Sequence, residues 1–371
     1  MNNAEPDYTA HFFEQSIDTN RYESFVLGAD VGGTTTNIAV AGVKNKNITL
    51  LFSLDFETKH LQGFFPALTR SINFAKEEYD IHLSKGCIGA AGIVSSDLSY
   101  VDLTNIPWNI DTKEIIKKTS LSSLFILNDF QVLGYSLNTV NMQDETEVIP
   151  IRKTASHHLK ETRILLGSGT GLGKTILRYD NNHQLFHAYS SEGGHVDIPI
   201  YSTDELALIE WIRNKKHANY PVTYEDILSG SGLTDIYSFL RLKNKFEETE
   251  YTKIVDETAD KPALISKYRI ADRYCEETFR LFQNFFARCA KNLALDTLAL
   301  GGVFIAGGIA IKNKDIFLSN EFKKQFNQCY MQKDFIQKVP IYLLSNYYAS
   351  LKGACFAAAC DSIIINNQTK A

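Results

Sequence analysis

Residues 25–37, FVLGADVGGTTTN, constrain the fold of this chain more than any other stretch. An apolar run ends in Asp30, the pair Gly32-Gly33 and three threonines, and a second apolar run, IAVAGV, follows at once. The pattern predicts strand, tight turn, strand. Glycines in such a turn let the backbone approach a bulky anion with its N–H groups turned outward. The hydroxyls of Thr34 and Thr35 add donors. Asp30, at the end of the first strand, is placed to hold a hydrated magnesium ion. Together these features predict a nucleotide phosphate site.

A second copy of the idea lies at 167–174, GSGTGLGK. It is not a Walker A loop. That motif needs glycine five positions before the final Gly-Lys pair, where this chain has Ser168, and it must open a helix. Here TILRY follows Lys174 and reads as a strand. The segment is therefore predicted to be a second hairpin, with Gly169, Thr170 and Gly171 facing the same nucleotide as the first. Two such hairpins with helices between them describe ATP held in a cleft between duplicated α/β halves. Two unrelated structural hairpins are the alternative reading.

At 371 residues the chain is too long for one comfortable core, so two lobes are expected. A hydrophobic content of 44% and a charged content of 22% are ordinary for a globular protein. The formal net charge of −5 advertises neither nucleic acid nor an anionic membrane as partner. Six cysteines are scattered without a CxxC pair, which fits a reducing cytoplasm. The first 22 residues are polar and lack an apolar h-region, so no signal peptide is expected there. They read as a frayed or loosely docked extension, with Phe12, Phe13 and Ile17 as the residues able to pack one helical face. No segment reaches the apolar length of a membrane span.

Further along, ITLLFSLDF (48–56) reads as a third strand. Residues 64–79 read as a helix, with Phe65, Leu68, Ile72, Ala75 and Tyr79 on its apolar face. GCIGAAGIV (86–94) and LFILND (124–129) read as strands. Ser202 and Glu205 suggest a capping box before a helix carrying Leu206, Ile209 and Ile212. Cys275, Phe279, Phe282, Phe286, Cys289 and Leu293 mark the buried stripe of a long helix. LALGGVFIAGGIA (298–310) reads as a strand and a Gly-Gly turn. The polar stretch 243–262 reads as an exposed loop or mobile helix end, and 361–371 as a polar tail.

Carboxylates, amides and one imidazole gather in a few short segments. Asn128 and Asp129 follow an apolar strand, where α/β proteins present their chemistry. Glu192 and His195 flank two glycines in SSEGGHVDIP, Glu225 precedes a predicted helix, and Asn105 stands beside Pro-Trp. Such groups hold two hydroxyls of a polyol at once. Each also has a structural reading, as a helix cap or a satisfied core residue. Their joint appearance beside two phosphate turns favours a sugar site.

The segments GADVGGTTTNIAV, LTNIPW, ILNDF, GSGTGLG, EGGHVD, LSGSGL and GGVFIAGGI, running from about residue 25 to about residue 355, resemble a bacterial-type glucokinase. This is the hexokinase branch of the actin, Hsp70 and sugar-kinase superfamily, in its non-zinc group. The resemblance implies a two-lobe, actin-like (ribonuclease H-like) α/β fold with nucleotide and sugar in the interlobe cleft. Its expected organisation is an N-terminal extension at 1–24, a small lobe of 25–139 with 345–371, and a large lobe of 140–344. It implies phosphorylation of glucose at the 6-hydroxyl by Mg·ATP, with Asp129 as general base. Asn105, Asn128, Glu192, His195 and Glu225 are then the sugar residues. Gly32, Gly33, Thr34, Thr35, Gly169, Thr170 and Gly171 face the phosphates, Gly307 and Gly308 the adenosine, and Asp30 the magnesium through water. The implied partners are glucose and ATP, with a homodimer common in the family.

The chain departs from the family pattern at Ser231, at Lys174, in NYYASLKGA (346–354) and in its N-terminal piece. No cysteine cluster follows His195, so no zinc is expected. The absence of a DNA-binding domain before residue 25 argues against a repressor. A kinase for another hexose or amino sugar, a catalytically silent sugar-binding regulator, and an ATPase without a small substrate are the rival readings.

Overall fold

The computed structural model of the chain describes residues 6–104, 106–154, 159–216 and 219–368. The chain divides into two compact units. One comprises Met1–Asn141, Tyr179–Ser190 and Asn346–Ala371, the other Met142–Arg178 and Ser191–Ser345.

The first unit is built on β1 (Thr9–Phe12), β2 (Ser24–Val31), β3 (Thr35–Lys44), β4 (Asn47–Glu57) and β5 (Lys85–Ala90), with a small sheet of β6 (Gly92–Val94), β7 (Tyr100–Leu103) and β8 (Asn109–Asp111), and then β9 (Ser123–Asn128). The main sheet runs β1-β4-β3-β2-β5-β9. Its first four strands pair antiparallel, while β2, β5 and β9 are parallel. β3 and β4 are buried along nearly continuous runs, as expected of strands covered on both faces. The helix Phe64–Tyr79 packs against β3, and the helix Ala349–Ala359 packs on β2 and β5.

That second helix sits close because small residues allow it. A Cβ on Gly28 of β2 would lie 2.7 Å from the Cys355 nitrogen, and one on Gly353 would lie 1.8 Å from the Val132 carbonyl oxygen. Gly353 thus lets Ala349–Ala359 touch the helix Asp129–Tyr135, which begins directly after β9. The packing fixes where Asp129 stands.

The second unit holds β10 (Val148–Arg152), β11 (Arg163–Ser168) and most of β12 (Leu172–Asp180). After β13 (Leu185–Ser191), nearly all of which lies in the first unit, the chain supplies β14 (Gly302–Ala306) and β15 (Ile341–Leu344). Strand order is β10-β15-β14-β11-β12, with β15, β14 and β11 parallel. The 25-residue helix Arg273–Thr297 runs through the core, and every residue of the expected stripe from Cys275 to Leu293 is buried. Arg288 of this helix donates to both oxygens of Glu205 at 2.8 Å in a buried, bidentate pair. All six cysteines are free thiols. Among the described residues no helix is long and apolar enough to cross a membrane.

Several expectations are corrected. Thr9–Phe12 is no loose extension but the edge strand of the first sheet, paired with β4, and Phe13 packs edge-on against Tyr348. Tyr179–Ser190 belongs with the first unit, not the large lobe. There Gln131 donates to the Ala188 carbonyl at 2.9 Å, and Asn138 accepts from the Phe186 N–H at 2.7 Å. Residues 86–94 break into two strands at Ala91, before Gly92 at φ 155°. Phe64 replaces Phe65 in the core, and Leu208 replaces Leu206. Ser202 caps its helix as expected, its hydroxyl accepting the Glu205 N–H at 3.2 Å, but the Glu205 carboxylate reaches back to the Tyr201 N–H rather than to that of Ser202. The stretch 243–262 contains the capped helix Glu250–Glu257, and the tail forms the helix Asp361–Gln368 with Ile364 buried. For the N-terminal strand and the C-terminal helix, contacts distant in sequence override local polarity.

Candidate active site

The first unit places its candidate residues at the carboxyl ends of parallel strands, the usual place for ligand sites in such sheets. Asp30 on β2 aligns with Gly89 on β5, and Asn128 on β9 aligns with Ala90. Gly89 must lack a side chain, since a Cβ there would lie 2.4 Å from Val132 of the Asp129 helix. Asn128 caps that helix, its Oδ1 accepting the Phe130 N–H at 3.0 Å. Asp129 Oδ1 accepts the same N–H at 2.9 Å. Asp30 and Asp129 are near enough to repel. Burial first, and then the Asp129 charge, push the Asp30 carboxyl up to about 6, against a hydrogen bond from Ser350. Two carboxylates held at the ends of two parallel strands, β2 and β9, suit a hydrated divalent cation, so the residues present fit magnesium.

Beside them the β2–β3 turn is closed by the Gly32 N–H donating to the Thr35 carbonyl at 2.9 Å. Thr58 braces the turn from outside, its hydroxyl donating to the Gly32 carbonyl at 2.7 Å and its N–H to the Thr34 carbonyl at 3.0 Å. Gly33, Thr34 and Thr35 are exposed, and a Cβ on Gly33 would meet nothing within 4 Å. The turn is a rigid backbone edge with open space in front of it.

The second unit repeats the device. The β11–β12 turn is closed by the Gly169 N–H on the Gly171 carbonyl at 2.9 Å. It is anchored by the Gly230 N–H on the Gly169 carbonyl at 2.9 Å and by the Ser168 hydroxyl on the Leu228 carbonyl at 2.6 Å. LSGSGL is therefore the brace of this turn. Gly169 and Gly308 have open space where a Cβ would go, and Thr170 is exposed. Gly307 has φ +92°, and a Cβ on it would lie 2.4 Å from the Ser168 carbonyl oxygen, so the two glycine loops nearly touch.

Glu225 lies in the short helix Tyr224–Ile227 and accepts the Leu172 N–H at 2.8 Å. A Cβ on Gly171 would lie 2.6 Å from its carboxylate, and one on Gly194 would lie 2.4 Å from the Leu172 carbonyl oxygen. The EGGH glycines and the GTGLG turn are thus glycine because these three segments converge. Glu192 and His195 flank the short turn Gly193–His195, 3.8 Å apart, with 87% and 60% of their side chains exposed.

Of the residues that sequence reasoning singles out, the structure brings Asp30 near Asp129, and Glu225 to the second turn. Asn105 lies outside the described residues. Sequence reasoning misses Thr58, Ser350 and the role of Lys174. Lys174 is only 5% exposed, donates to the Gly193 carbonyl at 2.5 Å, and lies 4.7 Å from the centre of the Tyr224 ring. Its position as an unusual cation in an apolar strand was the available signal, and NYYASLKGA, which carries Ser350, was another.

The chain has the two-lobe, actin-like α/β fold. Solved structures with this fold include a glucokinase from an Antarctic psychrotroph (TM-score 0.75, 23% identity, 91% of this chain and 99% of that one). Another is the Balamuthia mandrillaris glucokinase in complex with glucose (TM-score 0.73, 22% identity, 91% and 94%). The glucokinase family model matches residues 27–360. Curated glucokinases of Nostoc sp. and Trichormus variabilis are 31% and 30% identical, each over 91% of this chain and 99% of the relative. The chain belongs to the glucokinase family and is an enzyme, a sugar kinase of that family.

Proposed function

We propose that the protein transfers the terminal phosphoryl group of ATP to the 6-hydroxyl of glucose, with Asp129 as general base. The observation that carries this reading is the Asp30–Asp129 pair, two mutually repelling carboxylates at the ends of parallel strands beside a braced, open glycine turn. Asp129 accepts the hydroxyl proton as the oxygen attacks, a contribution of about 100- to 10,000-fold in rate. Asn105, Asn128, Glu192, His195 and Glu225 hold and orient the sugar hydroxyls. The turn residues Gly32, Gly33, Thr34 and Thr35, and Gly169, Thr170 and Gly171, receive the phosphates through N–H groups other than those of Gly32 and Gly169, which close the turns, and Gly307 and Gly308 admit the adenosine. Magnesium, held through water by Asp30, supplies charge neutralisation on the phosphate oxygens. A cytoplasmic location is part of this reading.

Positioning and electrostatics dominate phosphoryl transfer, so the decisive measurement separates binding from turnover. ADP release is measured against a panel of hexoses, and glucose is expected to give the highest kcat/KM. Asp129→Asn is expected to keep glucose binding by calorimetry while kcat falls by about 100- to 10,000-fold. Near-normal turnover in that variant would refute the base.

A further inference from the structure

We propose that the turn between β12 and β13 binds one divalent transition-metal ion through Asp180, His183 and His187. Asp180 ends β12, His183 lies in the turn and His187 lies on β13. The donor atoms Asp180 Oδ2, His183 Nδ1 and His187 Nε2 all lie within 4.8 Å of one another. His183 Nδ1 is 2.7 Å and His187 Nε2 3.3 Å from the Asp180 oxygen. Ligands about 2.0–2.2 Å from a tetrahedral zinc stand roughly 3.3 Å apart, so small movements bring these three into place. Among the described residues no other group of three such side chains converges in this way.

The local structure prepares the ligands. Asp180 Oδ1 accepts the Asn182 N–H at 2.7 Å and the His183 N–H at 3.3 Å, which turns Oδ2 toward both imidazoles. His187 is held in place by being only 4% exposed, while the His183 side chain is 47% exposed and leaves a fourth position open to water.

Two imidazoles and one carboxylate favour zinc, cobalt or nickel over magnesium or calcium. His187 Nδ1 is buried with no hydrogen-bond partner. A ligating histidine normally donates from its second nitrogen, so this site binds more weakly than a fully buttressed one. It differs in place and ligands from the cysteine-cluster zinc whose absence the sequence predicts, and none of its three ligands is among the residues assigned to substrate.

The test uses the full chain after chelator treatment. Calorimetry with Zn2+ and visible absorption with Co2+ are expected to report one saturable equivalent and the ligand-field bands of a tetrahedral site. Bound metal is expected to raise the unfolding midpoint. His183→Ala, at an exposed position, is expected to weaken uptake at least about 100-fold, since loss of a ligand exceeds the 10- to 100-fold effect of losing an outer-shell partner. Asp180→Asn should do the same, and glucose-dependent turnover of His183→Ala with magnesium should be unchanged. Absence of saturable uptake, uptake that survives both substitutions, or displacement by Mg2+ overturns the site.

Discussion

Single residues here are set by charges placed where water is scarce. Lys174 is the clearest case, a cation buried among the second glycine turn, the Gly193 carbonyl and the Tyr224 ring. Such a group is retained when its donors are used and a ring face balances its charge. Its hydrogen bond holds the turn that carries Glu192 and His195. Lys174→Met keeps the aliphatic volume and removes the donor. It is expected to raise the KM for glucose about tenfold, the effect of one charge-assisted hydrogen bond near 1.4 kcal/mol, with a smaller change in kcat. Steady-state kinetics check this, and an unchanged KM would remove Lys174 from the positioning of the sugar turn.

At the scale of elements, glycines divide into two kinds that sequence alone does not separate. Gly353 is a contact point between helices, where a Cβ would lie 1.8 Å from the Val132 carbonyl oxygen. Gly33 faces open space. Gly353→Ala must push Ala349–Ala359 away from Asp129–Tyr135, and is expected to cost about 1–3 kcal/mol of stability and displace Asp129. Gly33→Ala is expected to leave stability within about 0.5 kcal/mol while raising the KM for ATP. Urea unfolding together with ATP kinetics on the two variants separates these roles. A destabilised Gly33→Ala would show that the first turn is held by packing and not reserved for a ligand.

For the molecule as a whole, the site carries a cost in stability. The Asp30 pKa of about 6 lies above its ordinary 3.8. Between about pH 4 and 6 the folded chain therefore holds a proton that the unfolded chain has lost. The Asp30 contribution falls as pH rises through that window, and above pH 6 the full penalty, at most about 3 kcal/mol, is in place. Asp30→Asn is expected to raise the denaturation midpoint at pH 7.5 and to change it little near pH 4, while activity falls. A midpoint at pH 7.5 equal to or below that of the parent chain contradicts this account. A destabilised pocket of like charge is a common cost of function.

The amino-acid order by itself determined what short-range geometry can encode. Strand–glycine–strand patterns placed the hairpins at Gly32 and Gly169, and the apolar period placed the helix Arg273–Thr297. Motif order placed Asp129 and Glu225 among the candidate site residues. These features depend on neighbours a few positions away, whose spacing sets backbone conformation and side-chain direction. Tertiary structure alone decided that Ser350 reaches Asp30, that Thr58 braces Gly32, that Lys174 points to Gly193, and that Thr9–Phe12 closes a sheet edge. Each of these joins positions distant along the chain, and only the packing of whole elements brings such positions together.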